Sequence, residues 1–560
     1  MSIEKILKID CLRVHKELAS FALITLLLVA YFWVPTFTMR WGDDNGLVPL
    51  GADIIARGGA LYRDLWVIFF PGSCLWLALC FKLFGATWLV CRIVLLATWI
   101  AIFWLLVYLC RQLVAGPECY LPAIMLATIG PWQAPLNTFQ WDSLLLVLAM
   151  TCLSGQLIER QKTWQKKSFA LCSSLIGLTG SAAIICYQVV APAVGVTYAV
   201  CAWLLFRRQG AAQATTFAVS AVLASILAFA ALTGYLYFSG SLPYMIEDTV
   251  FALQKYGDVN AVPYGYSTVY NFMVGRLPFT GTSLWFVLLK LLSALWFWLP
   301  CEIVKWAPLV GTAGILTSLA SGCGNKFEQQ KPVIFIYLST GLAYFLAELH
   351  RAELMRLVWG GQLLIILAVY VLVEVRRKLP QSRLAISLLF TSLALALVVH
   401  EAGWQLSFAG QKSRTIETRR GPVNTIADLR IIPVLQKLVP ARGKVLVYPY
   451  DTIIYFLSET NCPAGVACLQ YNLQDERIFH AVLSDMDKSQ VDYAVWNISE
   501  GNDDWKDGGF PNYQALRPDQ LLVEPYLVSN FSMVKSYGNY RLLRRKACHR
   551  VGAAAQTGRI

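Results

Sequence analysis

Long apolar runs, separated by short polar or basic stretches, set the pattern of this chain. Segments near the roughly 20 residues that cross a bilayer recur at about 18–37, 87–110, 119–134, 141–158, 169–187, 188–206, 213–238, 300–320, 333–349, 357–375 and 383–402. They predict a polytopic α-helical membrane protein with about eleven transmembrane helices. Two further apolar stretches stand outside that count. "WVIFFPGSCLWLALCFKLFG", over 66–85, is interrupted by Pro71, Gly72 and Lys82 and reads as an interfacial or re-entrant helix. "SLWFVLLKLLSALWFWL", over 283–299, is apolar enough to span, but a second span there would invert everything after it. It reads as a separate helix on the external face.

After about Gly403 the pattern changes to mixed α/β signals. "TIADLRIIPVLQKLV" has helical spacing, while "GKVLVYPY", "VDYAVWNI" and "YGNYRLLRR" read as strands. The expected organisation is a membrane module over 1–402, with a first external loop over 38–86, followed by a soluble external α/β domain over 403–560. Cys462 and Cys468 lie six apart in that domain; a disulfide and two thiols are both open readings.

Composition and charge fit the pattern. Of 560 residues, 57% are hydrophobic and 14% charged, and mean hydropathy is +0.53; a soluble domain carries nearer a quarter charged residues. The net charge of +13 does not point to nucleic acid, because the basic residues cluster between apolar runs. Met1 to Glu17 carries Lys5, Lys8, Arg13 and Lys16, and later clusters hold Arg111, Arg160 with Lys162, Arg207 with Arg208, Lys326 with Lys331, and Arg376 to Lys378. Positive-inside sorting then puts the N-terminus in the cytoplasm and the C-terminal domain outside. The first span lacks a small-residue cleavage site and reads as an uncleaved anchor. The fifteen cysteines lie mostly inside apolar runs, and no Cys/His spacing indicates a metal site.

Candidate chemistry gathers at membrane exits. "RWGDDNGLVPLGADIIARGGALYRDLWVIFFPG" places Asp43 and Asp44 where the first span ends. Carboxylates there are costly to desolvate and mark functional sites, although a helix N-cap is the bland alternative. Leu47, Leu50, Ile54 and Ile55 predict an amphipathic helix on the membrane surface, followed by Gly58-Gly59 and Tyr62-Arg63-Asp64. "PWQAPLNTFQWDS" offers Gln140 and Asp142, and "CYQVV" offers Gln188 for sugar contacts or for a turn cap. "AELHRAELMR" clusters His350, Arg351, Glu353 and Arg356, with arginines suited to a phosphate. The 239–281 loop adds Glu247, Asp248, Lys255, Tyr256 and Asp258.

The acidic pair after the first span, "ARGGALYRD", Pro-Gly before an apolar helix, "LFG" and Arg92 together resemble the GT-C glycosyltransferase superfamily. The similarity is to the branch of protein O-mannosyltransferases and lipid A aminoarabinose transferases. It implies an inverting enzyme of the bacterial inner (plasma) membrane. Such an enzyme moves a sugar from a polyprenyl-phosphate donor to a hydroxyl of an external lipid, glycan or protein acceptor. By position Asp43 matches the catalytic acid and Asp44 its neighbour, where the family more often has Asp-Glu. Tyr62, Arg63, Asp64, Arg92, Gln140, Asp142, Gln188, His350, Arg351, Glu353 and Arg356 are the substrate-binding candidates. Near residue 350 the family's Arg-x-Asp-x-x-His becomes Arg351, Glu353 and Arg356. A polymerase or ligase using a lipid pyrophosphate donor and a non-enzymatic transporter are the alternatives. The sugar, the acceptor, any cofactor and the metal requirement stay open.

Overall fold

The computed structural model describes residues 3–39, 46–133, 137–159, 165–251, 261–266, 283–320, 325–409, 411–471, 474, 476–498 and 517–546. Asp43, Asp44, Lys255, Tyr256 and Asp258 lie outside the described residues.

Helices form where the apolar runs predict them. Helix α1 (Ile3–Phe37) leads into a short strand, β1 (Thr38–Met39), and two short helices, α2 (Leu47–Ala56) and α3 (Gly72–Phe84). The bundle continues with α4 (Trp88–Arg111), α5 (Leu121–Gln133), α6 (Phe139–Glu159), α7 (Lys166–Cys186), α8 (Ala191–Gln209) and α9 (Ala211–Phe238). It ends with α10 (Leu284–Ala320), α11 (Asn325–Glu348), α12 (Leu354–Gly360), α13 (Gln362–Lys378) and α14 (Arg383–Ala409). Among the described residues nine helices are long and apolar enough to cross a membrane, or ten if α12 and α13 form one span bent by 71°.

Helix α5 has 13 residues, but Glu118 before it pairs with Arg376 at the end of α13, and Asn137 after it donates to the Cys91 carbonyl near the start of α4, so the segment expected over 119–134 does join the two ends of the bundle. Two expectations need correcting. The separate external helix expected over 283–299 is instead the first half of α10, which runs 37 residues through Pro300 and Pro308. Apolar surroundings offer the backbone no other partners, so the helix continues through both prolines. The span expected over 357–375 is broken at Gly361. A Cβ there would lie 2.6 Å from the Leu357 carbonyl oxygen and 3.0 Å from Pro308, so only glycine lets α12 turn against α10.

The C-terminal region holds β2 (Arg414–Thr418), β3 (Gly421–Thr425), α15 (Ile431–Leu438), β4 (Leu446–Tyr448), α16 (Thr452–Ser458), α17 (Glu476–Lys488), β5 (Tyr493–Asn497), α18 (Val523–Asn530), β6 (Phe531–Tyr537) and β7 (Tyr540–Arg545). The three expected strands are β4, β5 and β7, in a sheet ordered β4-β5-β7-β6. The helix expected from Thr425 starts only at Ile431, because Thr425 still belongs to β3. Cys462 and Cys468 are buried thiols, with no disulfide between them.

A second sheet, ordered β1-β3-β2, was not legible in the hydropathy pattern; β1 comes from the first loop and runs parallel to β3. Around it one core joins the loop to the C-terminal region: Leu50, Ile55, Leu77 and Phe81 pack with Val423, Leu435, Ile453 and Phe456. Helix α2 packs against α3 and α16, and its Val48, Leu50, Ala52, Asp53 and Ile55 are all buried, while Leu47 and Ile54 are half-buried.

Helix α4 fixes which end is which. The Trp88 amide donates to the Arg420 carbonyl at 2.9 Å, whereas Arg111 closes the 24-residue helix at its other end, about 35 Å away. At that far end Arg376 pairs with Glu118, Arg111 donates to Tyr120 and Gln330 donates to the Gln112 carbonyl. Basic residues from two connections, Arg111 and Arg376, thus gather opposite the α/β region.

Candidate functional site

A cleft opens at the α/β end of the bundle, between the first turns of α2, α3 and α6 and the outer part of α4. Its accessible volume is only about 10 Å³, room for about one water, and it is lined by Val48, Ser73, Trp76, Thr98, Asn137 and Asp142, among others. Asp142 stands in the first turn of α6, where the helix dipole favours a carboxylate. The Asn137 amide nitrogen donates to the Cys91 carbonyl at 2.9 Å. Its Oδ1, with Ser73 Oγ, Thr138 Oγ1 and Gln140 Oε1, is buried without a hydrogen-bond partner among the described residues. Buried orphan polar atoms cost about 1–3 kcal/mol each, so Ser73, Asn137 and Thr138 suit an ordered water in the cleft. Asp43 and Asp44 precede α2 directly in sequence, and Val48, in its first turn, forms part of the cleft wall.

A second polar cluster lies where α11 meets α12. Arg356 is buried, donates to the Tyr187 hydroxyl, and pairs with Glu348 and Glu353 at 3.4 Å each. Arg351 pairs with Glu353 at 2.8 Å, so the two arginines share one carboxylate. His350 lies beside them, its Nδ1 2.8 Å from the Ala347 carbonyl oxygen. The Arg356 guanidinium also lies over Trp359, 5.7 Å from the ring centre. Trp359 meets Trp141 edge-on at 5.6 Å, and Trp141 lines the cleft. Arg351, Glu353 and Arg356 thus form one cluster, linked to the cleft that holds Asp142 through the Trp359–Trp141 pair.

The other candidates serve the scaffold around it. Tyr62 sits at φ 70° with its hydroxyl bonded to the Phe69 carbonyl at 2.9 Å, and burial pushes its phenol well above the ordinary value. Arg63 pairs with Asp64 at 2.8 Å and donates to the Ser239 carbonyl at 3.1 Å. That bond to Arg63 holds the Asp64 carboxyl below its ordinary value, and Asp64 also accepts the Ala60 amide at 2.7 Å. Gln188 accepts the Phe70 amide at 3.2 Å and donates to the Ile68 carbonyl at 3.1 Å, clamping the loop before α3. Arg92 is buried, its guanidinium 3.7 Å from the Trp88 ring centre.

Sequence reasoning missed Ser73 and Glu348. Glu348 had a readable signal, an acid inside an apolar run; Ser73 had none. Asp248 also stands out. It is 8% exposed, its Oδ2 has no partner among the described residues, and burial, with Glu247 nearby, pushes its carboxyl up to about 7. Among the described residues no three His, Cys, Asp or Glu side chains are grouped to hold a metal ion.

Nine or ten spans, a first loop of short helices and a C-terminal α/β region packed on that loop define the fold as one shared with GT-C membrane glycosyltransferases. ArnT from Cupriavidus metallidurans bound to undecaprenyl phosphate matches with a TM-score of 0.55 at 11% identity, over 95% of this chain and 98% of that one. The same protein in the apo state gives 0.53 at 11% identity, over the same shares of both chains. The archaeal oligosaccharyltransferase AglB from Archaeoglobus fulgidus, in complex with an inhibitory peptide and a dolichol-phosphate, gives 0.50 at 12% identity, over 96% of this chain and 75% of that one. No protein-family model matches the chain, and no curated protein sequence does. At such identities the likeness is one of fold.

Proposed function

We propose that this chain is an inverting membrane glycosyltransferase that moves a sugar from a polyprenyl-phosphate carrier to a hydroxyl of an external acceptor. The observation that carries the reading is the cleft, with Asp142 and the partnerless oxygens of Ser73, Asn137 and Thr138 beside the start of α2. The fold likeness supports it, since the solved ArnT holds undecaprenyl phosphate and AglB holds dolichol-phosphate. In this reading Asp43 accepts the proton of the acceptor hydroxyl, and Asp44 orients it. The freed oxygen attacks the anomeric carbon from the face opposite the phosphate. The anomeric C–O bond breaks, and its electron pair leaves with the polyprenyl phosphate.

Asp142, Asn137 and Gln140 hold sugar or acceptor hydroxyls, and Arg92 supports the site from below Trp88. Arg351 and Arg356 take the phosphate by exchanging Glu353, the carboxylate they share, for it. The membrane is the bacterial plasma membrane, with the site on its outer face. Reconstitution of the purified chain with polyprenyl-phosphate sugars, read by mass spectrometry of acceptors and residual donors, tests the reading. Sugar transfer with free polyprenyl phosphate as co-product is expected; an intact donor across a panel of sugars and acceptors refutes it.

A further inference from the structure

The connection between α7 and α8 carries two polar side chains side by side, and they serve different neighbours. Gln188 holds the first loop, bonding the Ile68 carbonyl at 3.1 Å and the Phe70 amide at 3.2 Å. Two residues on, Gly72 lies flat on the end of α7. A Cβ there would sit 2.7 Å from the Ile185 carbonyl oxygen and from the Cys186 nitrogen, so no side chain fits without moving α3 off α7.

Tyr187 reaches the other way, into the arginine cluster. It is 3% exposed. Its hydroxyl accepts from Arg356 Nη1 and lies 3.3 Å from Glu348 Oε2. A phenol has one proton to give. With the guanidinium donating to its oxygen, that proton points at Glu348, and the three groups form a directed chain. The ring is held as well as the oxygen. It lies 5.2 Å from the Phe139 ring, which stacks on Phe69 of the first loop at 4.4 Å. Phe139 packs against both the membrane core and the core that joins the first loop to the α/β region. One contiguous path therefore runs from the loop before α3, through the end of α7, to the Arg356 guanidinium.

We propose that Tyr187 is a positioning residue for the lipid phosphate. Its hydroxyl aims the Arg356 guanidinium, and its ring anchors that aim to the first loop, so that the arginine cluster and the cleft wall at Ser73 keep one spacing. Aim matters because the planar fork of arginine meets a phosphate well only in a narrow range of orientations. The proposal deepens the glycosyltransferase reading above and rests on it for the ligand.

Tyr187→Phe keeps the ring and removes the oxygen. Two readouts on the full-length protein in lipid nanodiscs follow the change. The first needs no ligand: a 1,2-dicarbonyl reagent modifies arginine side chains, and mass spectrometry reads the rate at Arg356 against that at Arg442, whose side chain is 64% exposed. Tyr187→Phe should speed modification of Arg356 about tenfold. The second is transfer from a polyprenyl-phosphate sugar. Donor KM should rise about 10- to 100-fold, as loss of one hydrogen bond to a charged group implies, with kcat within about threefold of the native value. Tyr198→Phe removes another tyrosine hydroxyl, bonded to the Gly177 carbonyl at 2.9 Å. It should lower the melting midpoint and leave both readouts unchanged. Where Tyr187→Phe does not fold, Phe139→Leu loosens the ring and keeps the hydroxyl, and it should raise both readouts about 2- to 10-fold; a flat result there overturns the proposal. Unchanged modification in Tyr187→Phe, faster modification at native KM, a kcat loss with KM unchanged, or equal changes in Tyr198→Phe would each overturn it too. A native chain that transfers no sugar and is not stabilised against heat by undecaprenyl phosphate refutes the glycosyltransferase reading instead, and with it the phosphate role, while the modification rates still report whether Tyr187 holds Arg356.

Discussion

Replacing Arg356 by methionine should destabilise the folded protein by about 3 kcal/mol. Glu348 is fully buried, and apart from Arg356 the Tyr187 hydroxyl, at 3.3 Å, is its hydrogen-bond partner among the described residues. Removing one member of a buried pair costs about 3–5 kcal/mol, because the other charge is left in low dielectric. The lower end applies here. The second contact of Arg356 is to Glu353, whose side chain is 24% exposed and adds little once water screens it. Methionine keeps much of the stem packed on Trp359, so lost van der Waals contact adds little.

Glu348→Gln should cost less than Arg356→Met, since Arg356 retains Glu353. The double variant should lie well below the sum of the two singles, near about 1 kcal/mol, because no uncompensated charge remains. Equilibrium unfolding of all four proteins in mixed detergent micelles at neutral pH measures the cycle. Additive losses, or an Arg356→Met cost under about 1 kcal/mol, would show that Arg356 and Glu348 are not a working ion pair.

Asp43→Asn should insert and fold normally yet lose about 100- to 10,000-fold in turnover, and Asp44→Asn should lose less; normal transfer by Asp43→Asn removes the base from that position. Asp248 has a carboxyl raised by burial to about 7 from an ordinary 3.8, so its stabilising share is complete below the ordinary value and is lost as pH rises through about 7. Asp248→Asn avoids that loss, and its melting midpoint relative to the native chain should climb between about pH 5 and pH 8; a flat difference contradicts the burial argument. A reporter active only in the cytoplasm, fused after Ile560, should stay silent, since the basic residues lie opposite the α/β region; activity would reverse the orientation.

The membrane helices were legible because their signal is local: a run of apolar residues is visible without knowing its neighbours. The pattern misled at the first half of α10, where the apolar run is sound but the helix continues through proline. Strands β4, β5 and β7 were equally plain, since buried strands are runs of Val, Leu and Tyr. What sequence pattern could not show was partnership across the chain. Thr38 and Met39 look like the end of a span, and nothing nearby announces a strand. Helix α2 has the spacing of a surface helix, and only α16, some 400 residues later in sequence, makes its other face buried. Among the site residues, Arg351, Glu353 and Arg356 stood out as charges in an apolar background. Tyr62 and Gln188 stood out equally, but their polar atoms bond the local backbone, a fate that residue type does not reveal.

The pairing of Thr38 with Asn424 spans 386 positions, which gives it a meaning in time as well as in space. A ribosome adding about 5–20 residues per second needs roughly 20–80 s to travel from one to the other. Throughout that interval β1 has no strand to pair with, and α2 has no α16 to cover its outer face. A chain stopped anywhere in the bundle would possess every membrane helix made so far and still lack a finished first loop. Completion of the first loop is therefore coupled to translation of the C-terminal α/β region, and copies that stop before it leave that loop unfinished. Their bare α2 face would also present quality-control proteases with an apolar surface that the full-length protein hides.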